Sequence, residues 1–252
     1  MFVEILIYIY LGICAGMILF NIVTALLSRR RAHRFHRRST RFEKEISREL
    51  DRLAETGEVS AEHLRRMERK LRRVNNMVTY DQALERLLPC RPALVHDYLL
   101  ASSGVVVTLA EDYCRRDEIE SAYFPYLIKK YRLLSGESCP ELKAMLLDLL
   151  HEPSLYCREN TMQAIYTSGD PVLVVQALQI INADSYYYSG KLLSDGLLNY
   201  TGSSQVLAYA LWCVLAKFQP WLQVALLNYL RFSTDAYCAQ ILSPLNDPAQ
   251  DD

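Results

Sequence analysis

From Ile5 to Leu27 the chain reads ILIYIYLGICAGMILFNIVTALL, 23 residues without a formal charge. As a helix rising about 1.5 Å per residue, this run is about 35 Å long and covers a hydrocarbon core of about 30 Å. A cleaved signal peptide fits poorly, because no basic region precedes the run and no A-x-A site follows it. A buried core helix fits poorly too, since few soluble helices are apolar all round for six turns. The expectation is a transmembrane anchor over residues 1–27.

Ser28–Phe42, SRRRAHRFHRRSTRF, follows with seven arginines and no acid: Arg29, Arg30, Arg31, Arg34, Arg37, Arg38 and Arg41. Clusters of this kind stay on the cytoplasmic side, which predicts Met1 outside and the rest of the chain in the cytosol at the cell (inner) membrane. They also suit an anionic membrane surface. Nucleic acid is not the expected partner, because a polybasic stretch abutting a span is most often a topology signal. Within the span Gly12 and Gly16 form G-x-x-x-G, a pattern that lets two helices approach and offers a route to a homodimer. Asn21 is a candidate interhelical donor, or lies near the headgroups.

Net charge confirms the division. The total of −1 conceals +7 over residues 28–86 (17 basic, 10 acidic) and −7 over 87–252 (11 basic, 18 acidic). With 51% hydrophobic and 23% charged residues, the chain is too apolar for intrinsic disorder.

Phe42, Ile46, Leu50 and Leu53 recur at helical spacing towards Glu55, and Thr56-Gly57 breaks the pattern. Ser60 suits an N-cap, with Glu62 in the first turn. Leu64, Met67, Leu71, Val74 and Val78 then form an a/d seam. This predicts a basic antiparallel helical hairpin or coiled coil over 28–86, or alternatively a seam packed on the downstream domain.

Residues 87–252 show a period. Gly136, Gly169 and Gly202 are 33 apart, Asp235 lies 33 further on, and Ala144, Ala177 and Ala210 repeat at the same interval. Turn-forming residues place helices near 118–134, 140–150, 154–168, 171–182, 186–200, 204–217, 220–232 and 236–243. One less regular pair over 78–116 kinks at Ser102-Ser103-Gly104. Helix pairs repeating at this length predict an all-α chain ending in an α-solenoid, with the repeated alanines allowing close layer contact.

Here a family resemblance enters. SLYCRENTMQAIYTSGDPVLVVQALQII (154–181) resembles a HEAT repeat, with an Arg near the first helix start, small Ala164, the turn Gly169-Asp170-Pro171 and an apolar second helix. WLQVALLNYLRFSTDAYCAQIL (221–242) resembles a more divergent copy. The whole is similar to bacterial HEAT-repeat proteins with one N-terminal span. The resemblance implies an armadillo-like helical scaffold binding other proteins, non-enzymatic and without cofactor. The alternatives are a HEAT-like enzyme of the bilin-lyase type and a degenerate membrane signalling subunit.

Site chemistry is sparse. The cysteines at 90, 114, 139, 157, 213 and 238 are 18 to 56 residues apart with no C-x-x-C, which argues against structural zinc. His33 and His36 have ligand-like spacing but sit among arginines. No phosphate-binding glycine loop occurs. Adjacent His96 and Asp97 point about 100° apart on a helix, so a structural histidine is expected. His63 opens a helix beside the anchor, but Leu64-Arg65-Arg66 lacks the acid of a sensor-kinase motif. A DNA-glycosylase reading needs a cationic groove, whereas this region is net acidic.

The remaining surface clue is aromatic: Tyr186, Tyr187 and Tyr188 at a helix start, and Trp221 beside Pro220, residue types favoured at protein interfaces. The final pair, 220–232 with 236–243, is apolar nearly all round, so it is expected to be either the end of a truncated array or a docking face for a partner or a second copy.

Overall fold

The computed structural model describes residues 2–116, 118–134, 140–184 and 186–233. Every element in them is helical, with no strand. Packing divides the chain into two compact units, Met1–His63 with Arg73–Val95 and Leu64–Arg72 with His96–Asp252.

In the first unit one helix, α1 (Phe2–Thr56), runs unbroken from the apolar run through the arginines. From Tyr10 onward its apolar part is largely exposed: Tyr10, Leu11, Ile18, Leu19 and Phe20 are each at least 60% exposed. It is the one described helix that is by itself long and apolar enough to cross a membrane. Further along, the predicted stripe Phe42, Ile46, Leu50 and Leu53 is buried. Gly57 ends the helix at φ +75°, a left-handed conformation that suits glycine, and its N–H reaches Leu53 O at 2.9 Å.

The stripe packs on α3 (Val74–Leu87), where Met77, Tyr80, Leu84 and Leu87 are buried. Phe42 meets Tyr80 edge to face at 6.0 Å, Arg86 Nη1 pairs with Glu43 Oε2 at 3.3 Å, and Arg91 pairs with Asp51. These pairs advance together along both segments, so α1 and α3 run parallel. The continuous second helix expected over 28–86 is corrected. The seam from Leu64 to Val78 is split at Arg73, which is extended (φ −100°, ψ 122°), between α2 (Ala61–Leu71) and α3. The cause lies in the last carbonyls of α2. Tyr113 Oη–H donates to Leu71 O at 2.8 Å and Arg116 Nη2 donates to Arg72 O at 2.6 Å. Those side chains satisfy groups that a continued helix would have used.

The second unit holds α4 (Pro92–Ala101), from His96 onwards, and α5 (Ser103–Cys114), bent by 63° at the expected Ser102 kink. Then come α6 (Glu118–Tyr131), α7 (Pro140–Leu149), α8 (Leu155–Tyr166), α9 (Pro171–Ala183), α10 (Gly190–Leu197), α11 (Ser204–Val214) and α12 (Pro220–Ser233). Packing alternates along the chain. α6, α8, α10 and α12 each touch the next in that series, and so do α5, α7, α9 and α11. Leu142, Leu146, Val174, Leu178, Leu193, Leu207, Leu211 and Leu226 fill the space between with at most 1% exposure.

The glycine period has a physical counterpart. The turns at Gly169 and Gly202 lie against each other: Tyr200 Oη–H donates to Gly169 O at 2.6 Å, Thr201 N–H to Tyr166 O at 3.2 Å, and Thr201 Oγ1–H to Thr167 O at 3.0 Å. Gly136 and Asp235, and the helix expected at 236–243, lie outside the described residues.

The alanine period does not act as expected. Ala177 is fully buried, but Ala144 is exposed and Ala210 half-buried. Ala144 lies four residues after the first residue of α7, whereas Ala177 and Ala210 lie six after the first residues of α9 and α11. Two residues turn a helix by about 200°, so Leu146, six after Pro140, takes the inward position instead.

Asp170 caps α9, accepting from Val172 N–H at 3.0 Å and Leu173 N–H at 3.2 Å, and pairs with Lys143 Nζ at 2.8 Å. Partial burial acts to raise its pKa, but the Lys143 bond and the two amides outweigh it and hold the carboxyl below its ordinary 3.8. That stabilisation is present above the unfolded pKa and is lost as pH falls through the lower folded value. Asp170→Ala is expected to lower stability by about 1 kcal/mol at pH 7, with the difference from the parent shrinking below pH 4 in parallel urea melts.

Candidate functional site

Three consecutive tyrosines make one surface feature through a buried cation. Tyr186, Tyr187 and Tyr188 lie in the segment before α10 rather than at a helix start, because Ser189, accepting from Leu192 N–H at 3.5 Å, caps the helix three residues later. Arg158 of α8 is 5% exposed. Its guanidinium sits 5.0 Å from the Tyr186 ring centroid, and its Nη2 donates to Tyr187 O at 3.2 Å. Cation–π attraction and a charged hydrogen bond thus pin this loop from beneath.

Tyr188 turns inward at 3% exposure and donates to Glu159 Oε2 at 2.5 Å, while Gln163 Nε2 donates to Glu159 Oε1 at 3.0 Å. Burial, with Tyr166 and Glu159 adjacent, pushes the Tyr188 hydroxyl far above the ordinary tyrosine range. Tyr166, also buried, is raised likewise. Both hydroxyls stay protonated near neutrality, and Tyr188 spends its proton on the bond to Glu159. What the cluster presents outward is Tyr187, 80% exposed on a fixed backbone, beside Tyr186 at 42%.

Trp221, 39% exposed, opens α12. Its carbonyl would stand 3.9 Å from a Cβ at Gly190, so the first turns of α10 and α12 touch and bring Trp221 to the tyrosine loop's end of the unit. Val224 and Phe232 of α12 are exposed as well, at 60% and 69%. Of the residues chosen from sequence, Tyr187, Tyr186 and Trp221 are available on the surface, and Tyr188 is a core residue. Glu159, Gln163 and Tyr166 were not foreseen. The i, i+4 pair Glu159–Gln163 on one helix face was a visible signal, but its target across the fold was not.

The seven arginines between Ser28 and Phe42 on α1 make no ion pair among the described residues, in contrast to Arg86 and Arg91 further along the chain. Gly12 and Gly16 lie exposed, and an added Cβ at either would meet nothing within 4 Å.

No group of His, Cys, Asp and Glu among the described residues is arranged to hold a metal ion. His33 and His36 are exposed, and His96 and Asp97 are both exposed with no hydrogen bond between them, so His96 is not the satisfied structural residue expected. Burial raises the thiols of Cys114, to about 11, and of Cys157, so both stay protonated near neutrality. The chain matches no protein-family model, no curated protein and no solved structure.

Proposed function

We propose that this chain is a single-span membrane protein whose second unit is a HEAT-like α-solenoid acting as a non-enzymatic, protein-binding scaffold at the inner leaflet. Met1 is outside and the helical units are cytosolic, on the argument of the unpaired arginines beside the apolar run. The alternating packing of α5 to α12 and the hydrogen-bonded turns at Gly169 and Gly202 support the repeat reading. The observation that carries the binding role is Tyr187, fully presented to solvent on a loop that buried Arg158 holds in place. An ordered aromatic loses little freedom on docking, which is why such residues anchor interfaces.

Photo-crosslinking in native membranes tests it, with a benzophenone side chain at Trp221. The expected result is one dominant protein adduct that Tyr187→Ala reduces by roughly thirtyfold, the loss of about 2 kcal/mol typical of a central aromatic anchor. No protein adduct, or one indifferent to Tyr187, ends the scaffold reading.

A further inference from the structure

Of the seven arginines between Ser28 and Phe42, three share a groove. Arg31, Arg34 and Arg38 are spaced three and four apart, hence on one helix face, and with Ala32, Phe35 and Asn75 they line a cavity of about 610 Å³ against the start of α3. We propose that this groove binds the phosphate of one anionic phospholipid, an inference that rests on α1 crossing the membrane.

Four features of the groove argue for an anion. None of the three arginines has a carboxylate partner among the described residues. Their guanidinium forks suit phosphate oxygens, which they grip bidentately. The residue before α3, Arg73, supplies no side-chain cap, and Asn75 in the first turn of this 14-residue helix lines the cavity, which sets the helix's positive end beside the arginines. Half-buried Phe35 gives the lining an apolar patch for the glycerol end of a lipid.

Position chooses the lipid over a soluble phosphate. Arg31, Arg34 and Arg38 lie about 6, 10 and 16 Å beyond Leu27 along an unbroken helix, so Arg31 sits within the headgroup layer of about 5–8 Å and the other two just outside it, with long side chains that reach back towards it. A lipid there is already concentrated beside the groove, whereas free phosphate arrives from dilute solution.

The test separates a shaped site from bulk charge. The full-length chain in detergent is titrated with palmitoyl-oleoyl phosphatidylglycerol and followed by native mass spectrometry. Arg31→Gln/Arg34→Gln/Arg38→Gln is compared with Arg29→Gln/Arg30→Gln/Arg37→Gln, which removes equal charge from another face of α1. The expected result is one tightly retained lipid in the parent and in the second variant. The groove variant should bind roughly tenfold more weakly, the size of one charge-assisted hydrogen bond. Arg31→Lys/Arg34→Lys/Arg38→Lys keeps the charge and the helix but loses the forks, and should fall between. Equal loss in both Gln variants overturns the proposal. So does displacement of the lipid by equimolar inorganic phosphate, which would make the site one for soluble phosphate. If the chain leaves membranes without detergent, the anchor reading fails; if it stays while the groove variant keeps its lipid, only this inference fails.

Discussion

Deleting residues 1–27 is expected to move the chain almost completely from the membrane pellet to the soluble fraction, with helical circular dichroism retained. Within the deletion, the run Ile5–Leu27 holds 13 Leu, Ile, Val and Phe residues, and at about 0.3–0.6 kcal/mol each they favour the bilayer by about 4–8 kcal/mol. The first unit loses little by the deletion, since the apolar window of α1 among the described residues, from Tyr10 on, is not buried within the fold. The helix then begins at Ser28 and still carries the stripe that packs on α3. Carbonate extraction followed by immunoblotting checks the result. A full-length chain that washes off membranes with carbonate, or a deletion that stays in the pellet as folded protein, would contradict it.

Gly202→Ala carries the second large effect. A Cβ there would stand 2.6 Å from Gly169 O and 2.4 Å from Tyr200 Oη, closer than side-chain carbons come to either. The Tyr200 hydroxyl can swing aside, but doing so abandons its bond to Gly169 O, while burial has already raised that hydroxyl's pKa to about 12. The backbone carbonyl has no such freedom. Overpacking at this turn is expected to lower stability by roughly 2–3 kcal/mol, and a denaturant melt of the soluble deletion reads it directly. Gly169→Ala meets its neighbours no closer than 3.4 Å, but it must hold φ +71°. It therefore destabilises through backbone strain, by about 1 kcal/mol or more. If both substitutions leave the midpoint unchanged, the two turns are not packed as described.

Much of this was legible because the signals are local. The apolar run, the stripe Phe42–Leu53, Gly57, the Ser102 kink and the starts of α7, α9, α11 and α12 depend on turn chemistry and on which face of one helix is apolar. The failures share a cause in tertiary contacts. Arg72-Arg73 has nothing in its own sequence to stop a helix; Tyr113 and Arg116, 42 and 44 residues away, do so by occupying its carbonyls. Ala144 matched a period in chain position, yet helix phase, set by where α7 starts, decides what faces inward. Tyr188 looked like its two neighbours until Glu159 claimed its hydroxyl across the fold. At the candidate site, the exposed Tyr187 was readable as a residue type, but its fixed placement by Arg158 was not.

From Met17 to Thr56, α1 contains neither glycine nor proline. Forty residues of uninterrupted helix make a shaft about 60 Å long with no joint in it. With α1 crossing the membrane as proposed, torque applied there reaches the face that grips α3, and the face cannot turn while the span stays still. The register between the two is geared: one residue inserted at Ser28 would advance α3 around the shaft by about 100° and lift it about 1.5 Å, while two inserted residues would place it nearly on the opposite side.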